Sequence, residues 1–154
     1  MKDMFVYYDN DIDKKVVPPQ FNVNKKPELL DSEDIISIAH DVFGNEIGIK
    51  VKHNVAFNLY LYLDGWVNGA SIDTLVFASQ LNFKVYDFRH KVILEKQFDA
   101  APYYNAESNW LLVPITLEEA KLLDIDSYKI TATLIWDGGD YELYSENDGL
   151  LIVR

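Results

Sequence analysis

Residues 116–140 read TLEEAKLLDIDSYKITATLIWDGGD, and this stretch contains the signals that decide the fold. Thr116 and Glu119 have the spacing of a capping box, in which each side chain accepts a hydrogen bond from the other residue's backbone amide. A short helix is therefore expected near 117–123. We expect it to end near Asp124, because the Asp-Ile-Asp-Ser sequence at 124–127 favours a turn.

A long strand is predicted to begin at Tyr128. Its apolar residues alternate with polar ones, which is typical of a strand with one buried face. The apolar set is Ile130, Ala132, Leu134 and Trp136. The Asp-Gly-Gly-Asp sequence at 137–140 tolerates the positive φ angles of a hairpin turn, so the chain is expected to return through 141–145. A last strand is predicted at 150–153.

The rest of the chain from residue 46 also reads as short strands. The clearest is 55–63, where one face carries Phe57, Leu59, Leu61 and Leu63 and the other carries Asn58, Tyr60 and Tyr62. Further strands are predicted at 75–77, 81–86, 92–98 and 110–113. Short strands separated by turn signals predict an all-β, antiparallel sandwich over residues 46–154.

Residues 1–45 are interpreted as an N-terminal arm or extension of this sandwich. Pro18 and Pro19 favour extended backbone and cannot donate hydrogen bonds to a sheet. Two interpretations of the apolar stretch 5–8 stay open: it anchors the arm on a neighbouring subunit, or it is an edge strand of the same domain.

Residues 32–45 also allow two interpretations. Asp31 or Ser32 could cap a helix through residue 43, with acidic residues in its first turn. Alternatively, the alternation of Ile36, Ile38 and Val42 indicates a strand that forms a hairpin with 47–52. We favour the hairpin.

Composition limits the classes of partner. The chain has 154 residues, a formal net charge of −11 and no cysteine. That length can bury a core without cross-links. The acidic balance argues against binding to nucleic acid, which relies on clustered Lys and Arg. No apolar run approaches the ~20 residues of a membrane span, so we expect neither nucleic acid nor membrane as a partner.

No motif predicts catalysis, a metal site or a cofactor. Asp9, Asp11 and Asp13 take the first, third and fifth positions of a calcium loop, but Lys14 stands where a glycine is needed and Gln20 where a glutamate closes the site. The three histidines are scattered without metal-binding spacing, and neither a nucleophile elbow nor a phosphate-binding glycine loop occurs. We therefore predict a protein that is not an enzyme and carries no metal or cofactor.

Aromatic residues in the arm and in loops are the candidates for contact with a partner, because Trp and Tyr are typical hot spots of protein interfaces and also stack on sugars. We interpret Trp110 as a core residue first, because tryptophans in sandwich strands are often buried. The partner-binding candidates are Phe5, Tyr7, Tyr8, Trp66, Tyr103 and Tyr104.

The order of elements after residue 48 resembles the immunoglobulin-like modules of tailed-phage structural proteins, such as the N-terminal module of baseplate upper proteins and the domains that decorate capsids or root head fibres. The segment from Leu122 to Tyr128 is similar to the tyrosine corner of such sandwiches, in which a tyrosine hydroxyl bonds backbone a few residues upstream.

This resemblance implies an immunoglobulin-like sandwich and a structural role in a virion, made in the host cytoplasm. The implied partners are other capsid or tail subunits, with self-association as a further option. The alternative class is a carbohydrate-binding β-sandwich module. It predicts an exposed platform formed by Trp66 or by Tyr103 and Tyr104.

Overall fold

The computed structural model describes residues 4–7, 38–63, 65–67, 69–106 and 109–154. The strands in these residues are β1 Met4–Tyr7, β2 Ile38–His40, β3 Glu46–Val51, β4 Phe57–Tyr62, β5 Trp66–Val67, β6 Ala70–Ser71, β7 Gln80–Tyr86, β8 Val92–Asp99, β9 Tyr104–Asn105, β10 Trp110–Ile115, β11 Ser127–Trp136, β12 Gly139–Tyr144 and β13 Leu150–Val153. The helices are α1 Ile72–Phe77, α2 Leu117–Ala120 and a 3₁₀ turn, Ala101–Tyr103.

The strands form two main sheets. Sheet A has the order β1-β4-β10-β9, and sheet B has the order β2-β3-β13-β11-β7-β8, with β12 also paired to β11. β5 and β6 make a separate small pair. One hydrophobic cluster includes residues of both main sheets, such as Leu59 and Leu111 of sheet A and Leu81 and Ile130 of sheet B. The predicted all-β class with a two-sheet architecture is confirmed.

The C-terminal block follows its local signals closely. The helix α2 begins after Thr116 and is shorter than the predicted span. In β11 the buried residues alternate with partly exposed ones, and Tyr128, Ile130, Ala132 and Leu134 face the core. β12 returns along β11 from the predicted turn at Gly138.

One pairing departs from the antiparallel prediction. β3 pairs with β13 in parallel, with Gly48 opposite Leu150. A side chain at position 48 would clash, because a Cβ placed there would overlap the backbone carbonyl of Leu150. The glycine therefore allows the close approach of two strands that are about a hundred residues apart in the sequence.

Both faces of β4 are buried. Leu59 and Leu61 are completely buried, and so are Asn58 and Tyr60 on the opposite face. β4 lies between β1 and β10 in sheet A, and both of its faces are covered. Among the described residues, neither polar atom of the Asn58 amide has a hydrogen-bond partner.

The prediction of a strand at 75–77 is also wrong. Residues 72–77 form α1, with Ser71 in the extended conformation of an N-cap residue and Asp73 in the first turn. Ile72 and Val76 are buried, and their spacing of four residues places both on one helix face. A short apolar run does not distinguish a strand from one buried face of a helix.

Near the N-terminus, Met4–Tyr7 pairs with β4 as an edge strand of sheet A, which is one of the two interpretations offered for this stretch. Residues 38–40 pair antiparallel with β3, so the hairpin is correct there and the helix is wrong. Residues 8–37, which contain the proline pair, the calcium-like sequence and Tyr8, lie outside the described residues. The division at residues 45 and 46 stays a prediction.

Candidate functional site

The residues predicted for structural roles make the expected contacts. The amide of Glu119 donates to Thr116 Oγ1 (3.2 Å), and the amide of Thr116 donates to Glu119 Oε1 (3.0 Å). Glu119 also pairs with Lys96 of β8 at 2.9 Å, which ties α2 to sheet B. Glu119 therefore both caps the start of α2 and joins this helix to β8.

The tyrosine corner is present in the same block. The hydroxyl of Tyr128 donates to the backbone carbonyl of Asp124 at 2.9 Å, four residues upstream. Burial raises the pKa of this hydroxyl above its ordinary value, and the carboxylates of Asp124 and Asp126 raise it further. A neutral, buried hydroxyl thus holds the turn that precedes β11.

Tyr103 and Tyr104 are not exposed, which corrects the expectation of a loop platform. Their side chains are 7% and 5% exposed, respectively. The Tyr103 ring contacts Phe98 with 4.6 Å between centroids, and burial raises its pKa. Tyr104 donates a hydrogen bond to Asp73 of α1. These two residues therefore contribute to the core and cannot form the sugar platform that a carbohydrate-binding sandwich would need.

The remaining aromatic candidates lie in strands. Phe5 and Tyr7 belong to β1 and Trp66 to β5, and the structure describes only the backbone of these three residues. Trp110 is partly buried and contacts the rings of Tyr60 and Tyr62, in agreement with its interpretation as a core residue. Partner binding by Phe5, Tyr7, Tyr8 and Trp66 stays a prediction.

The most exposed large apolar side chains occur where no partner-binding residue was predicted. Val42 is 93% exposed and Phe43 is 86% exposed, and both lie in the turn between β2 and β3. We call residues 41–45 the hairpin tip. The sequence signal was present, because Gly44-Asn45 marks a turn and a turn projects its apolar residues into solvent.

Asp41 holds the hairpin tip in one conformation. Its Oδ1 accepts hydrogen bonds from the amides of Phe43 and Asn45, both at 2.9 Å. Its Oδ2 accepts from the side-chain amide of Asn45 at 3.2 Å. Backbone bonds join the amide of Asp41 to the carbonyl of Asn45 (2.9 Å) and the amide of Gly44 to the carbonyl of Asp41 (3.1 Å). Val42 and Phe43 are therefore presented by an ordered turn.

The surroundings of the hairpin tip are acidic. Glu46, which follows the tip, lines a depression together with Glu146, Asp148 and Lys129. Lys129 is itself 3.8 Å from Glu146, so part of its charge is already compensated within this group. A partner that binds the hairpin tip would therefore contact apolar side chains and, beside them, an excess of negative charge.

A second feature is an open cleft of about 690 Å³ at the end of sheet B. Its lining includes the aromatic residues Phe77 and Trp136 and the acids Asp99 and Asp137. Sequence reasoning placed Phe77 in a strand and Trp136 on a buried face, and so missed this cleft. These residues are brought together because three connections converge at this end of the sheet. They are the connections from α1 to β7, from β8 to the 3₁₀ turn and from β11 to β12.

The hairpin tip and the cleft lie toward the same end of sheet B. β3 is parallel to β13, and β13 is antiparallel to β11, so β3 begins at the end where β11 finishes at Trp136. β7 also begins there, because it is antiparallel to β11. Connections that cluster at one end of a sandwich are a common place for binding sites.

Within the described ranges, no three His, Asp or Glu side chains are grouped as metal ligands. None of the helices in this part of the chain has the length and apolar character needed to cross a membrane. No protein-family model matches the sequence, and no curated protein matches it significantly.

Proposed function

We propose that this chain is a non-catalytic structural module that binds neighbouring protein subunits, and that it serves in the virion of a tailed phage. The observation that carries the binding role is the hairpin tip, where Val42 and Phe43 are 93% and 86% exposed. Burying one such side chain against a partner is worth about 1.5–3 kcal/mol. Large apolar residues held together in solvent are typical of protein interaction sites.

The ordered turn supports this role energetically. A loop that is already in its bound conformation loses little conformational entropy on association, so more of the burial energy appears as affinity. The bonds of Asp41 to Phe43 and Asn45 supply that order. The tip therefore has the properties of an anchor for a pocket on another protein.

The charge around the tip indicates the chemistry of that pocket. Glu46, Glu146 and Asp148 line the depression beside it, and the chain carries a formal net charge of −11. Complementary potentials speed association and reject wrong partners. The partner is accordingly an apolar pocket with Lys or Arg at its rim.

The virion assignment is supported by the resemblance to immunoglobulin-like phage modules. The short capped helix, the tyrosine corner and the hairpin follow one another in the expected order. We interpret the sandwich as immunoglobulin-like on this basis. Fold-level likeness does not by itself identify a site, so the test must be made on particles.

The first experiment locates the chain. Particles from the native source are sedimented through a density gradient, and the fractions are searched for this chain by peptide mass spectrometry. Co-migration with intact particles at a fixed copy number is the expected result. Recovery as a monomer away from the particles would contradict the virion assignment.

The second experiment tests the tip. Purified chain is added to partially dissociated particles, and its retention is compared for wild type and the double variant Val42→Ser, Phe43→Ser. We expect the variant to bind at least about tenfold more weakly, the usual effect of removing an interface hot spot. Ile125→Ser is the control, because Ile125 is 65% exposed but precedes β11 at the opposite end of sheet B. Equal retention of the double variant and wild type would exclude the tip as the contact.

A further inference from the structure

The cleft at the end of sheet B has a floor and walls of different chemistry. Its floor is a row of directly paired residues, Ile135 of β11, Gln80 of β7 and Asp99 of β8. The end of α1 and the β11–β12 turn contribute Phe77 and Asp137 to its lining. The volume of about 690 Å³ is large enough for an amino-acid side chain or a small organic molecule.

The two aromatic rings are held by their neighbours. Phe77 is 57% exposed, and its ring meets that of Tyr104 edge to face, with 5.9 Å between centroids. Trp136 is partly buried and packs against the hydrophobic core. Its indole lies over Gly138, where an added Cβ would be 2.9 Å from Nε1. Both rings therefore line the cleft while in contact with neighbouring groups.

The charged residues of the lining are both acidic. They are Asp99 and Asp137, and the lining includes no Lys, Arg or His. Asp99 Oδ1 accepts a hydrogen bond from Gln80 Nε2 at 3.3 Å, and Gln80 Oε1 accepts one from Gln97 Nε2 at 2.7 Å. This short chain of amides orients the Asp99 carboxylate at the floor of the cleft.

Carboxylates beside aromatic faces favour a positively charged group. A ring face attracts an ammonium or guanidinium cation through its quadrupole, and a carboxylate adds Coulomb attraction. An anionic group would be repelled by both acids and by the net charge of −11. A neutral sugar would gain from the rings but would not use the charges.

We propose that this cleft binds an ammonium or guanidinium group carried on a short apolar stem. The apolar stem contacts Ile135 and Phe77, and the cationic head lies between Trp136 and the carboxylates of Asp99 and Asp137. The group is either part of a free organic amine or the side chain of a Lys or Arg in a protein partner. The inference does not depend on the hairpin tip, because it concerns binding by the isolated chain.

The test uses matched compounds and the isolated, ¹⁵N-labelled chain. N-acetyl-arginine amide is titrated while the indole Nε1 resonances are followed by NMR, and Trp136→Phe assigns the resonance of interest. N-acetyl-citrulline amide is the control compound, because it has nearly the same shape but no charge. We expect saturable shifts of the Trp136 resonance with a Kd on the order of 1–10 mM for the arginine compound, because exposed cation–π contacts and ion pairs are individually weak.

Charge removal on the protein side provides an independent readout. We expect Asp99→Asn and Asp137→Asn each to weaken binding of the arginine compound about threefold, as loss of one exposed ion pair would. Asp140→Asn is the control, because this exposed residue follows the same turn but does not line the cleft. Thermal unfolding of each variant confirms that the fold is retained.

Three results would overturn the proposal. The first is equal binding of the arginine and citrulline compounds. The second is binding of a neutral oligosaccharide that the Asp variants do not change, and the third is the absence of a saturable shift with any cationic compound. If binding occurs, a Gly-Gly-Arg-Gly-Gly peptide that binds more tightly than free amines of the same charge indicates a protein side chain as the natural ligand, and the reverse order indicates a free amine.

Discussion

Tyr128 illustrates how one side chain stabilises a turn from within the core. It is 4% exposed, and its hydroxyl donates to the carbonyl of Asp124 at 2.9 Å. The bond satisfies a carbonyl that follows the short helix α2, and the ring packs into the sandwich. This role was predictable, because the tyrosine and the turn residues are close in sequence.

Replacing Tyr128 by Phe is expected to lower the free energy of unfolding by about 1 kcal/mol, because the part-buried hydrogen bond to the carbonyl of Asp124 is lost. Urea-induced unfolding would measure the change. Tyr141→Phe is the control, because Tyr141 is 40% exposed. If the two variants unfold at the same urea concentration, the hydroxyl of Tyr128 contributes nothing.

Asn58 is a polar residue in the core of sheet A. It lies on the face of β4 opposite Leu59, it is fully buried, and among the described residues its amide atoms have no partner. Removing an unsatisfied buried amide recovers its desolvation cost.

Asn58→Leu is therefore expected to raise the free energy of unfolding by about 1–2 kcal/mol, because leucine is similar in size and has no polar atoms to desolvate. Chemical denaturation measures the change in unfolding free energy. Asn82→Leu is the contrasting variant: the side-chain amide of Asn82 donates to Glu95 at 2.8 Å, so its loss should destabilise the protein. A loss of stability in Asn58→Leu would show that the amide is satisfied in solution.

At the scale of elements, the sheets depend on contacts that local patterns do not encode. The pairing of β3 with β13 is parallel and joins distant parts of the chain. It also requires a glycine at position 48, since the backbone of Leu150 occupies the space of a side chain there. In contrast, α2, β11 and β12 were predicted from residues that are neighbours in sequence.

Gly48→Ala is expected to destabilise the protein by about 2 kcal/mol or more, because the added methyl group must displace backbone rather than a mobile side chain. Thermal and urea unfolding would report the change. Lys50→Ala in the same strand is the control, because Lys50 is partly exposed and no backbone clash is expected. A variant at position 48 with wild-type stability would argue against the close β3–β13 pairing.

At the scale of the whole molecule, the burial of tyrosine hydroxyls links stability to pH. Two tyrosines of the sandwich, Tyr103 and Tyr128, are buried. Burial raises the pKa values of both Tyr103 and Tyr128 above the ordinary value of 10.0. The folded protein therefore holds these protons more tightly than the unfolded chain does.

The contribution of these two tyrosines to stability is accordingly expected to be constant below the ordinary tyrosine pKa and to be lost as the pH rises above about 10. As the pH rises, the unfolded chain loses these tyrosine protons at a lower pH than the folded protein does. Alkali therefore favours unfolding. Unfolding midpoints measured from pH 8 to 11 would show the decline. Tyr128→Phe should make this decline less steep.

The sequence alone determined the all-β class, the capped helix, the tyrosine corner and the alternation in β11, because capping, turn preference and strand periodicity act over a few residues. The tertiary structure decided what depends on distant neighbours: the burial of both faces of β4, the parallel β3–β13 pair and the burial of Tyr103 and Tyr104. It also brought Phe77, Trp136 and the two acids into one cleft. The physical reason is that the burial of a residue depends on which other elements pack against it. The local sequence pattern of a strand does not determine which elements those are.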